Sequence, residues 1–254
     1  MKSRLFIILL LLLPATISFG QQTAGQMAVK ADSAYAIGNY GTAAALYQKL
    51  ITEVPSPSAD IYYNLGNAHY RMQEYGPAIL NYERARRLDP AMKDARQNLA
   101  LANSKTIDHI EVLPKPLLSR WFDSLCTDIT PHAWRIIWLV VLALTCLSVV
   151  LFFLISNLTV RKSTLIAFPV FLLLLIFCTI ALITSTNRLN DHSAAIVMEP
   201  AINVKNSPEA QSTDKLILHE GTKVTIDDSI QLWYKIILAD GTDGWCNKKD
   251  VERI

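Results

Sequence analysis

Residues Ala59 to Pro90 read ADIYYNLGNAHYRMQEYGPAILNYERARRLDP, and the chain carries this stretch more than once. A weaker copy lies 35 residues earlier, where Gly38-Asn39-Tyr40, Ala43, Tyr47 and Pro55 align with Gln73-Glu74-Tyr75, Ala78, Tyr82 and Pro90. In that copy Lys30-Ala31 stands where the later one has Leu65-Gly66, so the first copy is degenerate. After Pro90, Lys93 to Asn103 repeats the pair as Leu99-Ala100 and then stops, which makes it the opening of a third unit without its second half. A period of this length marks stacked supersecondary units. The last member of such a stack must solvate its outer face and acts as a cap.

Over its whole length Ala59 to Pro90 resembles the tetratricopeptide repeat: Tyr62, Leu65-Gly66, Tyr75, Ala78, Tyr82, Ala85 and Pro90 all fall at the family's positions. The resemblance implies an all-α domain of helical hairpins over residues 24–106. Gly66 and Ala78 are small where the two helices of a hairpin cross, Tyr62, Leu65, Tyr75 and Tyr82 supply the bulk around the crossing, and Pro90 ends the second helix. Inner-helix residues not used for packing would line a concave, partner-binding groove: Tyr63, Asn64, Asn67, Tyr70 and Arg71, with Asn98 from the cap. Asn offers a donor and an acceptor to an extended peptide, Tyr offers an apolar face, and hairpin packing asks for neither Asn64 nor Asn67. The same residues would also stand on a stack that serves only as a spacer. The basic set with which some members of the family grip a C-terminal carboxylate is missing, because Ala28, Asp32 and Asp94 occupy its positions.

Composition places this domain on a membrane protein. Charged residues are 18% of the 254 and hydrophobic residues 51%, against roughly 25% charged in soluble chains. The missing charge is concentrated: Ile136 to Val160 and Ser163 to Asn187 contain no Asp, Glu, Lys or Arg. Each run is long enough to cross a bilayer, and the expected spans are residues 134–156 and 164–186. Arg161 and Lys162 stand alone in the expected loop 157–163, which marks that loop as cytoplasmic. Met1 to Gly20 reads as a signal peptide: Lys2 and Arg4 precede the apolar run Leu5 to Leu13, then Pro14 and Ser18-Phe19-Gly20. Both signals put the flanking modules outside the cytoplasm. Trp134 and Trp138 suit an aromatic belt at the outer end of the first span. Within the linker 107–133, Leu117, Leu118, Trp121, Phe122 and Leu125 fall on one helical face, with Arg120 and Asp123 on the other. That pattern suits a short helix on the membrane surface, or else a connecting loop after Pro114 and Pro116.

Residues 194–254 alternate short apolar stretches with turn residues: Ala195 to Met198, Leu216 to Leu218, Lys223 to Ile226, Trp233 to Leu238 and Gly244 to Cys246. Five short strands in so few residues predict an all-β small barrel. The details resemble the bacterial SH3 domain: Asn203-Val204-Lys205-Asn206-Ser207-Pro208, the turn Glu220-Gly221-Thr222-Lys223-Val224, and Trp233-Tyr234-Lys235-Ile236 followed by Asp240-Gly241 and Gly244-Trp245-Cys246. Trp233, Tyr234 and Trp245 are the candidates for an SH3-like groove, and equally for plain packing.

A net charge of +2 gives no basic surface for nucleic acid. His69, His109, His132, His192 and His219 lie in unrelated contexts, and no Ser/His/Asp, Cys/His, paired-carboxylate or phosphate-loop constellation occurs. No enzyme, metal or cofactor is therefore expected. Cys146 and Cys178 lie in the apolar runs; Cys126 and Cys246 lie outside them, where a bond between them stays open.

The order of parts — signal peptide, repeats, paired spans, SH3-like barrel — is similar to the BatE family of the Bacteroides aerotolerance system over the full chain. That resemblance implies a bacterial inner-membrane protein working beside von Willebrand factor A domain membrane proteins and a MoxR-type ATPase in envelope integrity or oxidative stress. The residues themselves point to a multi-domain membrane scaffold with two external protein-binding modules. A cell-wall sensor whose barrel binds peptidoglycan peptide is the other reading.

Overall fold

The computed structural model describes residues 24–111, 113–114 and 116–254. The expected signal peptide, residues 1–20, lies outside the described residues. Two compact units form: one runs through Leu88 and includes Met92–Leu113 and His192–Ile254, the other is Asp89–Ala91 with Pro114–Asp191.

In the first unit, helix α1 (24–36) pairs with α2 (Tyr40–Glu53), α3 (Ala59–Arg71) pairs with α4 (Tyr75–Leu88), and α5 (Lys93–Asn103) stands alone as the expected cap. The turns repeat with the sequence. Gly38 takes φ +82° between α1 and α2, and Gln73, 35 residues on, takes φ +66° between α3 and α4. Asn39 then caps α2, accepting the Thr42 N–H on Oδ1 at 3.2 Å. Gly66 faces Tyr82 so closely that a Cβ on it would lie 2.7 Å from two ring carbons. Ala31, at the equivalent position of the first hairpin, is fully buried. Tyr62 and Tyr75 were expected in the same crossing, yet both are only half-buried, and Leu65 with Tyr82 fills it. Tyr75 instead turns its ring against Tyr70.

Residues 194–254 form a seven-stranded antiparallel sheet: β1 (Ala194–Val197), β2 (Ala201–Lys205), β3 (Asp214–His219), β4 (Lys223–Ile230), β5 (Trp233–Ile237), β6 (Asp243–Asn247) and β7 (Val251–Arg253). Its order is β3-β2-β6-β5-β4-β1-β7. The sheet is open, ending on β3 and β7 among the described residues, where sequence led us to expect a closed barrel of five strands. The two added strands are β2, which lies over Asn203-Val204-Lys205, and β7. The Asp240-Gly241 turn is as expected: Leu238 N–H donates to Thr242 O at 2.8 Å, and Gly241 N–H donates to Leu238 O at 3.0 Å. Val197, Ile202, Val204, Leu218, Val224, Ile236 and Cys246 make the core of the sheet.

Repeats and sheet share a core within this unit. Ala78, Ile79, Leu80, Tyr82, Leu99 and Ala102 of α4 and α5 cluster with Ile196 of β1 and Ile254. The connecting segment after α5, the start of the expected linker 107–133, is strapped to the sheet: Ile110 packs on the sheet's core, and Leu113 N–H donates to Ala239 O at 3.2 Å. Asp108 holds the β3–β4 turn, accepting from His219 N–H at 2.6 Å and from the Thr222 hydroxyl at 2.6 Å, with His219 Nδ1 at 2.8 Å. Burial by itself would raise the Asp108 pKa, but the combined bonds from Thr222 and His219 outweigh it and hold the carboxyl below the usual range.

The second unit contains α6 (Leu117–Asp128), α7 (Pro131–Leu154) and α8 (Leu158–Asn190). Two of these, α7 and α8, are long and apolar enough to cross a membrane. The break between them is far shorter than the loop 157–163 expected from sequence. Asn157 caps α8, accepting the Thr159 N–H at 2.9 Å, so Arg161 and Lys162 lie in the helix's first turns. An N-cap Asn satisfies an orphan helix donor, which lets the helix start that early. Thr130 caps α7 in the same way at 3.3 Å. α8 continues through Pro169. α6 forms as a helix and packs Phe122 edge-on to Phe177 of α8, with ring centroids 5.9 Å apart. Asp123 pairs with Arg188 at 2.7 Å, and Trp138 Nε1 donates to Thr179 Oγ1 at 2.9 Å. All four cysteines are free. Burial, with the charge of Asp250 behind it, pushes the Cys246 thiol up to about 12.

Candidate functional site

The inner helices α1, α3 and α5 carry a polar and aromatic face whose contacts recur with the period of the sequence. Tyr82 donates its hydroxyl to Asn67 Oδ1 at 2.8 Å. In the first hairpin Tyr47, which aligns with Tyr82, donates to Asp32 Oδ1 at 2.5 Å, and Asp32 aligns with Asn67. Tyr70 meets Tyr75 edge-on at 5.8 Å, and Tyr35 meets Tyr40 in the same way at 5.2 Å, again 35 residues apart. Burial pushes the Tyr47 and Tyr82 hydroxyls far above the ordinary tyrosine range, so both remain donors at neutral pH.

The expected groove residues are brought together on this face, but much of their polar capacity is already used. Asn98 Nδ2 donates to Asn67 Oδ1 at 2.8 Å and to the Tyr63 hydroxyl at 3.1 Å. Asn67 therefore takes two donors inside the stack, which corrects the expectation that hairpin packing has no need of it. Asn64 hydrogen-bonds the Tyr47 hydroxyl across to the first hairpin. The Tyr63 ring lies 6.0 Å from that of Tyr82 and, with Tyr70, packs against the core shared by α4 and α5. Arg71 is exposed and holds its guanidinium 4.8 Å over the Tyr40 ring. What this face offers an incoming chain is the Arg71 charge and the half-buried rings of Tyr35, Tyr63 and Tyr70.

Sequence reasoning missed Asp32, Tyr35, Tyr40 and Tyr47 as members of this face. The signal was present: each stands 35 residues before Asn67, Tyr70, Tyr75 and Tyr82.

On the sheet, the three groove candidates separate. Pairing sets Trp233 opposite Asn247, Tyr234 opposite Cys246 and Lys235 opposite Trp245. Alternate residues point to opposite faces, so Trp233 and Trp245 share one face with Lys235, while Tyr234 lies on the other. There it packs against the sheet's core, flanked by Lys248 and Arg253 at 5.0 Å each.

The tetratricopeptide repeat family matches residues 59–92, which are α3, α4 and the turn that follows. No curated protein matches the chain. A repeat of this family and two helices of spanning length fit a repeat-containing membrane protein. Such repeats are typical interaction modules, which indicates protein partners.

Proposed function

We propose that this chain is a non-enzymatic, membrane-anchored scaffold that holds a protein partner on the inner face of its repeats. The observation behind the reading is the face itself: the paired tyrosines recur in both hairpins, and Arg71, exposed over the Tyr40 ring, presents a positive charge to an acidic or main-chain group. The helices α7 and α8 serve as the anchor, and the sheet, which we read as SH3-like, is the second module. With a signal peptide at residues 1–20 and the basic pair Arg161-Lys162 inside, both modules face the periplasm of a bacterial inner membrane. We read the scaffold as part of an aerotolerance or envelope-stress complex of the BatE kind, with von Willebrand factor A domain proteins and a MoxR-type ATPase as the partner class.

Mild crosslinking of the full chain in cells, followed by mass spectrometry, tests this. Recovery of membrane proteins with von Willebrand factor A domains supports it. Recovery of muropeptides instead would favour a cell-wall sensor, a reading that the shared face of Trp233 and Trp245 keeps in play. Recovery of neither would overturn the scaffold. Labelling a Ser207→Cys variant tests the topology, since reaction from the cytoplasmic side alone contradicts a periplasmic sheet.

A further inference from the structure

Contacts within the second unit fix the level of α6 along α8. The rings of Trp121 and Phe122 lie 6.5 and 5.9 Å from that of Phe177. Nearer the end of α8, Arg188 donates to Asp123 twice, from Nη2 to Oδ1 at 2.7 Å and from Nη1 to the main-chain oxygen at 3.2 Å. Between these levels the Ser185 hydroxyl donates to Ile129 O at 3.4 Å, in the turn that follows α6. About 16 Å of helix separate Phe177 from Arg188. The charge-free run of α8 ends at Asn187, and Arg188 is the first charge beyond it. α6 is therefore seated beside the end of the apolar run, away from the connection between α7 and α8.

Packing uses only one side of α6. Phe122 is half-buried and Cys126 is buried, in one cluster with Trp134 of α7 and Phe177 of α8. The side turned away carries Leu117, Arg120 and Trp121, neighbours at helical spacing. Leu117 is 81% exposed and Trp121 56% exposed, and Arg120 is exposed beside them. Trp134, expected in an aromatic belt, is instead buried in the cluster, and Trp121 is the ring that faces outward. A helix with one side in water is apolar on the other side alone. α6 is apolar on the side it packs and again, at Leu117 and Trp121, on the side it leaves open.

The level and the residue types agree on what covers the open side. The end of a span's apolar run is where acyl chains meet headgroups, and Trp is enriched there. A surface helix presenting Trp and Leu with a cation beside them sinks its apolar face about 5–10 Å into that boundary. We propose that α6 is a third membrane element, lying along α8 at the boundary with Leu117 and Trp121 in lipid and Arg120 at the headgroups. This rests on α7 and α8 being membrane spans. The Asp123–Arg188 pair then keeps the one acid that faces α8 at the polar edge of the bilayer.

The test uses the full chain in nanodiscs of phosphatidylcholine and phosphatidylglycerol, in a Cys146→Ala background, since Cys126, Cys178 and Cys246 are buried. A bimane label is placed by Leu117→Cys, or by Leu144→Cys midway along α7. Lipids carrying a nitroxide near the headgroup should quench the label at 117 about twofold more than lipids carrying it near the acyl end, as a boundary depth requires. The order should reverse at 144. Trp121→Asp should remove much of the quenching at 117 and leave that at 144 unchanged. A label at 117 that iodide reaches and nitroxide lipids do not, with 144 quenched, would place α6 in water, overturning its docking and leaving the spans standing. Shielding of 117 from both quenchers would show a protein cover and also overturn it. The same depth profile at 117 and 144 would contradict a seat at the boundary. Absence of quenching at 144 would remove the spans and the docking of α6 together.

Discussion

Glu220, in the turn between β3 and β4, accepts the main-chain N–H of Gly76 on Oε1 at 3.0 Å and so closes the first turn of α4 from the sheet. The first N–H groups of a helix have no partner within it, and a carboxylate there also meets the positive end of the helix dipole. The fit is tight: a Cβ on Gly76 would lie 2.6 Å from Glu220 Cγ. Glu220→Ala should cost about 0.5–2 kcal/mol, as loss of a helix cap does, and Glu220→Gln should cost less because an acceptor remains. Thermal unfolding of the detergent-solubilised full chain reads the difference. Equal melting of all three proteins would remove Glu220 from the account of the α4 terminus.

Gly66→Ala sets helix propensity against packing. Alanine is favoured over glycine inside a helix by about 1 kcal/mol. The new methyl, however, would sit 2.7 Å from the Tyr82 ring and 3.3 Å from Ala78 O. Tyr82 is fully buried and its hydroxyl is held by Asn67, so the ring has no room to retreat. We expect a net loss of about 1–3 kcal/mol, and a partial recovery in Gly66→Ala with Tyr82→Leu. A Gly66→Ala protein that melts no lower than wild type would mean that the helices can separate at the crossing at little cost.

The clamp at Asp108 should make stability depend on acid. Its pKa lies below the ordinary aspartate value of about 3.9. The contribution is therefore complete above that value and is lost as the pH falls through the lower, folded-state value. Asp108→Asn should cost about 1–3 kcal/mol at pH 7, and its stability should fall less steeply than wild type below pH ~4. Unfolding by denaturant across pH 2 to 7 measures both, and parallel curves for the two proteins would contradict the clamp.

Asn67 and Arg71 should part company on mutation. Asn67→Ala leaves the buried Tyr82 hydroxyl without its acceptor and the Asn98 amide with Tyr63 in place of two partners, at a cost of about 1–3 kcal/mol. Arg71→Ala removes an exposed contact with the Tyr40 ring, worth about 0.5–1 kcal/mol, and a hydrogen bond with Tyr35, yet it should weaken crosslinking to the partner. Melting curves paired with capture from cells separate the two effects. Undiminished capture by Arg71→Ala would move attention from the repeats to the sheet.

The helical repeats were legible because Gly66, Ala78 and Pro90 each answer a local demand of the hairpin, and α7 and α8 because absence of charge over such a length has one common meaning. The union of repeats and sheet was not legible as a pattern, although α4 hinted at it. Ile79, Leu80 and Tyr82 bury different sides of one helix, more than a single partner helix can cover. β2 was not legible because part of its alternation, Ala201 to Lys205, falls inside the Asn203-to-Pro208 motif, which was matched as a motif and not as a strand. The role of Asn67 was hidden for another reason: an amide satisfied inside the stack and one offered to a ligand are the same letter, and only the position of the Tyr82 hydroxyl separates them.

Ile110 packed on the sheet's core and Asp108 across the β3–β4 turn tie the joint between repeats and sheet. Flexible tethers let two weak sites search for a ligand, and the gain then depends on linker length. This joint works as a gauge. A partner gripped by both the Arg71 face and the Trp233 face must bring two contact points at one set separation, and a misfit there is penalised in full because no loop can lengthen to absorb it.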